Sequence, residues 1–383
     1  MKKNMKKITL FFNRVFVSLI LILVPVPGFA FSLGEMFIDP SDGHIDMSKW
    51  LMQKQGFLPV PIIITEPAIG NGLGMAGIYF HDNLANEERV PPSISALAGA
   101  KTSNGTWFAG GGHLGYWAKD TIRYTGGLGK GVIQMDYYGL SGVSGKDLES
   151  GISFETDAVF FVQELQFRLA DSNFFAGAGY YLIDTGNTFD WTGKLEELGV
   201  PEINFDSRSA AAGLMLNYDN LNNILTPSKG IDAEINGMFF NETWGSDQNF
   251  QRYNVLISYY TKPVSSLVVL LRSAASSVRG ESPFYAVPFV QLRGVKAMQF
   301  QGEETLKGET ELRWSFTPRW ALVGFAGVGK AFNEGIKGDS DNIYTKGLGM
   351  RYLIASKLGL QAGVDIAKGP EDTAFYIIFG HSI

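Results

Sequence analysis

The sequence predicts an all-β fold, a transmembrane antiparallel β-barrel of sixteen strands. Three observations carry that expectation: an N-terminal export signal, segments in which apolar and polar residues alternate with period two, and connections that are alternately short and long.

The signal comes first. Lys2, Lys3, Lys6 and Lys7 precede an apolar run centred on Val15 to Val24, which closes at Pro25-Val26-Pro27-Gly28-Phe29-Ala30. The run falls short of the ~20 residues a spanning helix needs, and Gly28 and Ala30 suit a peptidase cutting before Phe31. Residues 1–30 are therefore expected to be a signal peptide. An uncleaved anchor is the alternative.

Those thirty residues hold five basic groups and no acid, so the remainder carries 27 Lys and Arg against 38 Asp and Glu, a formal charge of −11. That balance argues against a nucleic-acid partner. Cysteine is absent, which excludes disulfides, thiolate metal sites and a lipid anchor on cysteine. Charged residues make up 18% of the chain, below the ~25% of a soluble domain, while aromatic residues reach 13% and glycines number 46. No later apolar run is long enough to span a bilayer as a helix.

Alternation follows from strand geometry, because successive side chains point to opposite faces. Leu165, Phe167 and Leu169 alternate with Glu164, Gln166 and Arg168. Ile231, Ala233, Ile235 and Phe239 oppose Asp232, Glu234 and Asn236. Thr310, Leu312, Trp314 and Phe316 oppose Glu309, Glu311, Arg313 and Ser315. Breaking the chain at turn signals gives sixteen strands, at 60–66, 71–81, 93–103, 105–117, 120–139, 151–170, 173–185, 205–219, 229–241, 248–262, 265–276, 304–317, 320–331, 342–354, 357–368 and 373–383. The barrel is assigned to 57–383, and an even count suits closure.

With the N-terminus periplasmic, the turns on that side include Ala118-Lys119, Asp171-Ser172, Pro263-Val264, Pro318-Arg319 and Ala355-Ser356. The opposite side carries 140–150, 186–204, 277–303 and 332–341. Short periplasmic turns and long outer loops are the outer-membrane pattern. Two turns, 82–92 and 220–228, are longer than that pattern favours. Trp107, Trp117, Tyr137-Tyr138, Tyr180-Tyr181, Tyr259-Tyr260 and Trp320 fall near strand ends, where amphipathic rings mark the two membrane interfaces. The same rings inside a soluble barrel core are the competing reading.

Residues 31–56 precede the barrel as a short periplasmic or lumenal segment. Within it, Ile45 to Lys54 fits a short amphipathic helix capped by Asp42 or Asp46, placed in the lumen or on the periplasmic rim. A leader without structure is the alternative.

From Pro288 onward specific motifs emerge. Gln291-Leu292-Arg293-Gly294-Val295 lies in the long loop between strands 11 and 12, followed by Glu311-Leu312-Arg313, by Gly324-Phe325-Ala326-Gly327-Val328-Gly329, by Gly347-Leu348-Gly349-Met350-Arg351-Tyr352 and by Val364-Asp365-Ile366-Ala367. Earlier, Thr226-Pro227-Ser228-Lys229-Gly230 forms a turn before a central strand. This series resembles the bacterial surface-antigen (outer membrane protein 85) superfamily, which includes the assembly protein BamA and the translocation protein TamA. The resemblance spans roughly 57–383 and is most specific in 288–383. It implies that the sixth outer loop folds inward, with Arg293 and Gly294 meeting lumenal acids. Glu311 is the first partner by face and Asp365 the second, since a guanidinium out of bulk water needs carboxylates. An exposed loop arginine is the alternative for Arg293. The chain departs from the family pattern at Gly327, where an Asp is usual, at Val295 in place of an aromatic, and at Ile383 in place of a terminal aromatic. It is expected to be a short member without periplasmic POTRA repeats.

Other motifs carry little chemistry. Gly324 to Ala331 nearly spells a phosphate loop, but Ala331 replaces the required hydroxyl and no helix follows. Gly110 to Gly115 has dinucleotide spacing inside a hairpin pattern. His44, His81, His113 and His381 show no ligand spacing and read as rim or lumen residues. No cofactor and no metal are expected.

Two functions stay open. One is an insertion or translocation barrel of the outer membrane of a Gram-negative-type bacterium, in contact with lipid including lipopolysaccharide, with a protein substrate or a separate periplasmic partner. Its first strand, Val60 to Pro67, is bracketed by prolines and would pair poorly at a seam. The other is a porin-like, structural or surface-interaction barrel acting through loops such as 186–204, which holds Trp191. A lipid-modifying enzyme is a third class, but no nucleophile and base can be named together, so no enzymatic activity is expected.

Overall fold

The computed structural model describes residues 37–52, 56–81, 92–138, 152–189, 203–333 and 340–380. The expected signal peptide and most of loops 140–150 and 186–204 lie outside them, as does His381.

Sixteen strands form one sheet in which each pairs with the next: β1 (Gly56–Glu66), β2 (Gly70–Phe80), β3 (Ile94–Thr102), β4 (Trp107–Trp117), β5 (Ile122–Tyr137), β6 (Ile152–Arg168), β7 (Phe174–Phe189), β8 (Ile203–Asp219), β9 (Gly230–Phe240), β10 (Phe250–Val264), β11 (Leu267–Gly280), β12 (Glu304–Ser315), β13 (Trp320–Phe332), β14 (Ile343–Ala355), β15 (Leu360–Lys368) and β16 (Thr373–Phe379). All described ladders are antiparallel, and β16 returns beside β1 to make a nearly closed barrel.

What distinguishes this barrel from a soluble one is which face is dry. Leu73, Leu97, Leu128, Leu214, Ile235, Trp314 and Leu348 stand on the outer surface, each at least half exposed. Glu309, Glu311, Arg313, Arg351 and Asp365 are buried inside. A soluble sandwich places its apolar face inward, whereas a membrane barrel turns it to lipid and keeps charge in the lumen. On β12 the two sets alternate residue by residue, with Leu306, Leu312 and Trp314 outside and Glu309, Glu311 and Arg313 inside.

Several boundaries differ from the sequence expectation for identifiable reasons. β1 begins at Gly56 rather than 60 and pairs with β2 through Pro59 and Pro61. Both prolines have the same parity, so their missing N–H groups fall on one edge of the strand. Strand rules place them on the edge facing away from a partner, here the edge toward β16. Pro263-Val264 is not a turn: both residues belong to β10, where the register shifts between Thr261 and Val264, and a bulge tolerates a residue without a donor. The turn is instead at 265–266. β7 runs on to Phe189 and β8 starts at Ile203, because Asp184 to Phe189 pair with 203–208, so loop 186–204 shrinks to 190–202. β11 likewise continues to Gly280, which moves the start of the sixth long loop from 277 to 281.

The helix expected over 45–54 is α1 (Ser48–Met52), which starts later because Asp46 accepts from Ser48 N–H at 2.7 Å; residues 53–54 lie outside the described ones. It lies at the short-turn end. Leu51 shares an apolar cluster with Leu58 and Phe80 of the first two strands and with Ala355, where β14 ends.

Candidate functional site

Loop 281–303 folds into the lumen along two anchored stretches. Phe284 sits edge-on among Tyr137, Phe154 and Phe189, at centroid distances of 5.3, 5.1 and 5.2 Å. The neighbouring Tyr285 hydroxyl lies 2.9 Å from both Ser207 Oγ and Ser209 Oγ on β8. The loop then closes on itself: Val290 N–H donates to Phe300 O and Gly302 N–H to Pro288 O. At its tip Val290, Leu292 and Val295 bury themselves against Ala331 of β13 and Ile343 of β14.

Arg293 projects from this tip into three carboxylates. Its Nη2 is 2.9 Å from Glu309 Oε1, and its Nη1 is 2.9 Å from Glu311 Oε2 and 2.8 Å from Asp365 Oδ2. The guanidinium carbon lies 3.5 Å from the centroid of the Phe325 ring. Arg351 also binds Asp365, and Arg313 donates to Pro227 O at 2.7 Å within the turn before β9. The buried group thus contains three guanidiniums and three carboxylates. Such balance matters because an uncompensated charge out of water costs several kcal/mol.

Backbone conformation fixes the approach. Gly294 has φ +92°, and a Cβ there would lie 2.8 Å from Gly369 N, so the loop touches the β15–β16 turn without space for a side chain. Gly294 N–H donates to the Tyr376 hydroxyl on β16 at 2.9 Å, and Lys296 pairs with Asp372 at 2.9 Å. Every one of these polar ties is to β12, β15, β16 or the turn between the last two strands.

Of the sequence-chosen residues, the structure brings Arg293, Glu311 and Asp365 together and places Gly294 at the adjoining contact. Sequence reasoning missed Glu309, Arg351 and Tyr376. Glu309 was legible in principle, since it shares the inward face with Glu311 two residues away. Glu309 and Gly327 are direct cross-strand partners, so an acid on β12 stands opposite the glycine on β13. A Cβ at Gly327 would lie 2.9 Å from Leu292 Cδ2, and one at Gly329 would lie 2.3 Å from Val290 Cγ1, so these glycines make the floor on which the loop rests.

A second ionic group lies at the short-turn end. Arg319, in the turn between β12 and β13, meets Asp39 and Asp42 at 2.6 Å each and Asp46 at 2.5 Å. Met47 N–H donates to Ile354 O, Tyr352 Oη to Ile45 O, and Ser356 N–H to Asp46 at 3.1 Å. Burial opposes ionisation of Asp46, but the hydrogen bonds from Ser356 and Ser48 and the Arg319 guanidinium outweigh it and hold the carboxyl well below the usual carboxylate range. Because α1 also packs against β1 and β2, segment 37–52 ties the first two strands to β14 and to the turn before β13.

Between β1 and β16 the described residues form no hydrogen-bonded ladder, although the strands are adjacent. A cavity of about 470 Å³ lies behind this seam, lined by Glu66 of β1, Tyr376 to Phe379 of β16, and Arg293 and Glu309. Among the described residues no group of three or more His, Asp or Glu gathers to hold a metal. The two glycine-rich tracts lie on β4 and β13, and among the described residues no helix follows either.

These features define a sixteen-stranded outer-membrane-type barrel with a loop folded into its lumen and one seam. No protein-family model matches the chain, and no curated protein sequence matches it. Among solved structures its backbone is similar to BamA from Haemophilus ducreyi lacking POTRA domains 1-3, with TM-score 0.56 and 13% identity, covering 85% of this chain and 70% of that one. It is also similar to CdiB from Escherichia coli, with TM-score 0.55 and 12% identity over 84% and 61% of the two chains, and to CdiB from Acinetobacter baumannii, with 0.53 and 10% over 85% and 60%. The chain therefore spans about three-fifths of the CdiB chains, and the likeness is one of fold.

Proposed function

We propose that this protein is an outer-membrane insertion or translocation barrel that works by opening at the β1–β16 seam, with the Arg293 cluster acting as a lock on the loop. The missing ladder is the observation that carries this reading. Each interior pair in the sheet is held by an antiparallel backbone ladder, while the seam has none among the described residues, so its separation removes no ladder. The polar ties of the loop tip run to β12, β15 and β16. Movement of β1 away from β16 can then leave the lock intact while exposing the cavity behind Glu66 and Tyr376. Segment 37–52 would restrain that movement from the periplasmic side, by holding the first two strands to β14.

The partners this implies are the lipid of the outer membrane, including lipopolysaccharide, and a protein substrate, delivered by a separate periplasmic partner. A direct test uses the absence of native cysteine. Ile64→Cys with Ile378→Cys, bridged by a short bis-maleimide in the folded protein, should abolish insertion or secretion of client proteins in cells, and reduction of a cleavable linker should restore it. Undiminished client handling with the seam covalently shut would overturn the seam reading. Steady ion conductance in planar bilayers, unaffected by the bridge, would instead favour a porin-like barrel.

A further inference from the structure

Two histidines that are far apart in sequence meet on the outer wall. His81 follows the end of β2, Ser95 is near the start of β3, and His113 is on β4. His81 Nε2 is 2.8 Å from Ser95 Oγ, which in turn lies 2.9 Å from His113 Nδ1, with the two rings 5.1 Å apart. The register places Ser95 opposite both Tyr79 and His113, on the face that carries the exposed Leu97 and Trp117. The aromatic surround is continuous: Tyr79 packs 5.0 Å from His81, and Trp117 stacks between His113 at 6.1 Å and Tyr124 at 5.5 Å. Tyr124 donates to Gln163 on the next strand.

All these residues are at the short-turn end, where the chain crosses from the membrane face to the aqueous rim. Ser95 has one proton, so it donates to one imidazole and accepts from the N–H of the other. No hydrogen bond reaches His81 Nδ1 or His113 Nε2 among the described residues. Polar nitrogens turned toward a bilayer are costly unless a polar group of the bilayer meets them. Just inward of them is a cleft of about 480 Å³, its floor made by Gly77, Gly111 and Gly126 and its walls by Phe57, Leu97 and Leu128. Imidazole and hydroxyl at the rim with an apolar cleft on the membrane side match a molecule that has an anionic head and a hydrocarbon tail.

We propose that this wall binds one glycerophospholipid of the periplasmic leaflet, its phosphate accepting from the outward N–H of the imidazole to which Ser95 donates and one acyl chain lying in the cleft beside Leu97 and Leu128. The site lies on β2 to β5 with Phe57 of β1 as one wall, away from the Arg293 lock, and stands whether or not the seam opens.

The test uses the full-length protein in nanodiscs of phosphatidylethanolamine and phosphatidylglycerol, doped with a phosphatidylethanolamine carrying a photoreactive diazirine in one acyl chain. Irradiation and peptide mapping should concentrate label on 94–137, and H81A/H113A should lower that labelling about ten-fold, as expected for the loss of a hydrogen bond to a charged group. Ser95→Ala, which keeps both rings, should lower it about three-fold. Gly111→Leu, which fills the cleft but keeps the polar groups, should also displace the label. Unchanged heat-modifiable gel mobility shows that each variant folds. Label spread evenly round the barrel, or label on 94–137 that survives both H81A/H113A and S95A, would overturn the proposal.

Discussion

Arg293 and Arg351 share one acid. Arg293 Nη1 lies 2.8 Å from Asp365 Oδ2 and Arg351 Nη2 lies 2.9 Å from the same oxygen, in a carboxylate with no solvent exposure. One carboxylate therefore compensates a guanidinium carried by the loop and another fixed in the wall at β14.

That sharing makes Asp365 more than a partner of the loop. Asp365→Asn leaves three buried guanidiniums against two carboxylates, and breaking a buried pair in this way costs about 3–5 kcal/mol. The double variant D365N/R293M restores the balance and should cost less than D365N alone. Thermal unfolding, followed by loss of the compact gel band, measures both. Strictly additive effects would show that the groups do not act as a charge-balanced set.

Gly294→Ala should release the loop without altering any charge. The native φ of +92° strains any L side chain, and the added methyl would meet Gly369 N at 2.8 Å. Strain of about 1–3 kcal/mol is expected, expressed as loss of the Gly294 to Tyr376 hydrogen bond. Limited proteolysis should cut within 281–303 at least about five-fold faster than in the parent, a ratio that ~1 kcal/mol gives. Tyr376→Phe should reproduce a smaller part of that effect.

How much of this was legible follows from what each inference needed. Alternation needs only local sequence, and it assigned Glu309, Glu311 and Arg313 to one face before any pairing was known. Partner choice needs register. Glu311 was expected as the first acid for Arg293, yet Glu309 makes the second contact because β12 places it opposite Gly327, a relation between strands that no single segment contains. His81 and His113 show no spacing in the sequence that would pair them, and Ser95 carries no signal at all, for the same reason: separations of 14 and 18 residues become neighbours only when three strands align. The long-loop side was visible as a pattern, but strand ends shifted wherever a partner strand offered more pairing, as at Phe189 and Gly280.

The contact that Glu309 makes with Arg293 is itself testable. Glu309→Gln should loosen the loop to a similar degree as Glu311→Gln, about 1–3 kcal/mol for a charge-assisted hydrogen bond lost in a buried place. Gly327→Asp should not rescue E309Q, since its Cβ would lie 2.9 Å from Leu292 Cδ2 and would lift the loop from its floor. Full rescue, read as parental protease resistance in E309Q/G327D, would show that the two positions are interchangeable and that the packing of Leu292 is slack.

At the opposite end of the barrel, the contact between Arg319 and Asp46 predicts a defined response to pH. The Asp46 carboxyl is held below its ordinary value, so its contribution to holding segment 37–52 is fully present above the unfolded value of about 4 and is lost as pH falls through the lowered folded value. Protease protection of 37–52 should therefore be the same at pH 5 and pH 8 and decline only below about pH 4. Asp46→Asn should remove part of the protection at neutral pH and flatten the acid response. Arg319→Ala goes further, because it leaves Asp39, Asp42 and Asp46 without their shared cation, and should speed cleavage at least about ten-fold. If release of this segment is a step in opening the seam, R319A should also raise cross-linking of Ile64→Cys to an added maleimide probe. Faster cleavage with unchanged probe access would separate the N-terminal tie from the seam.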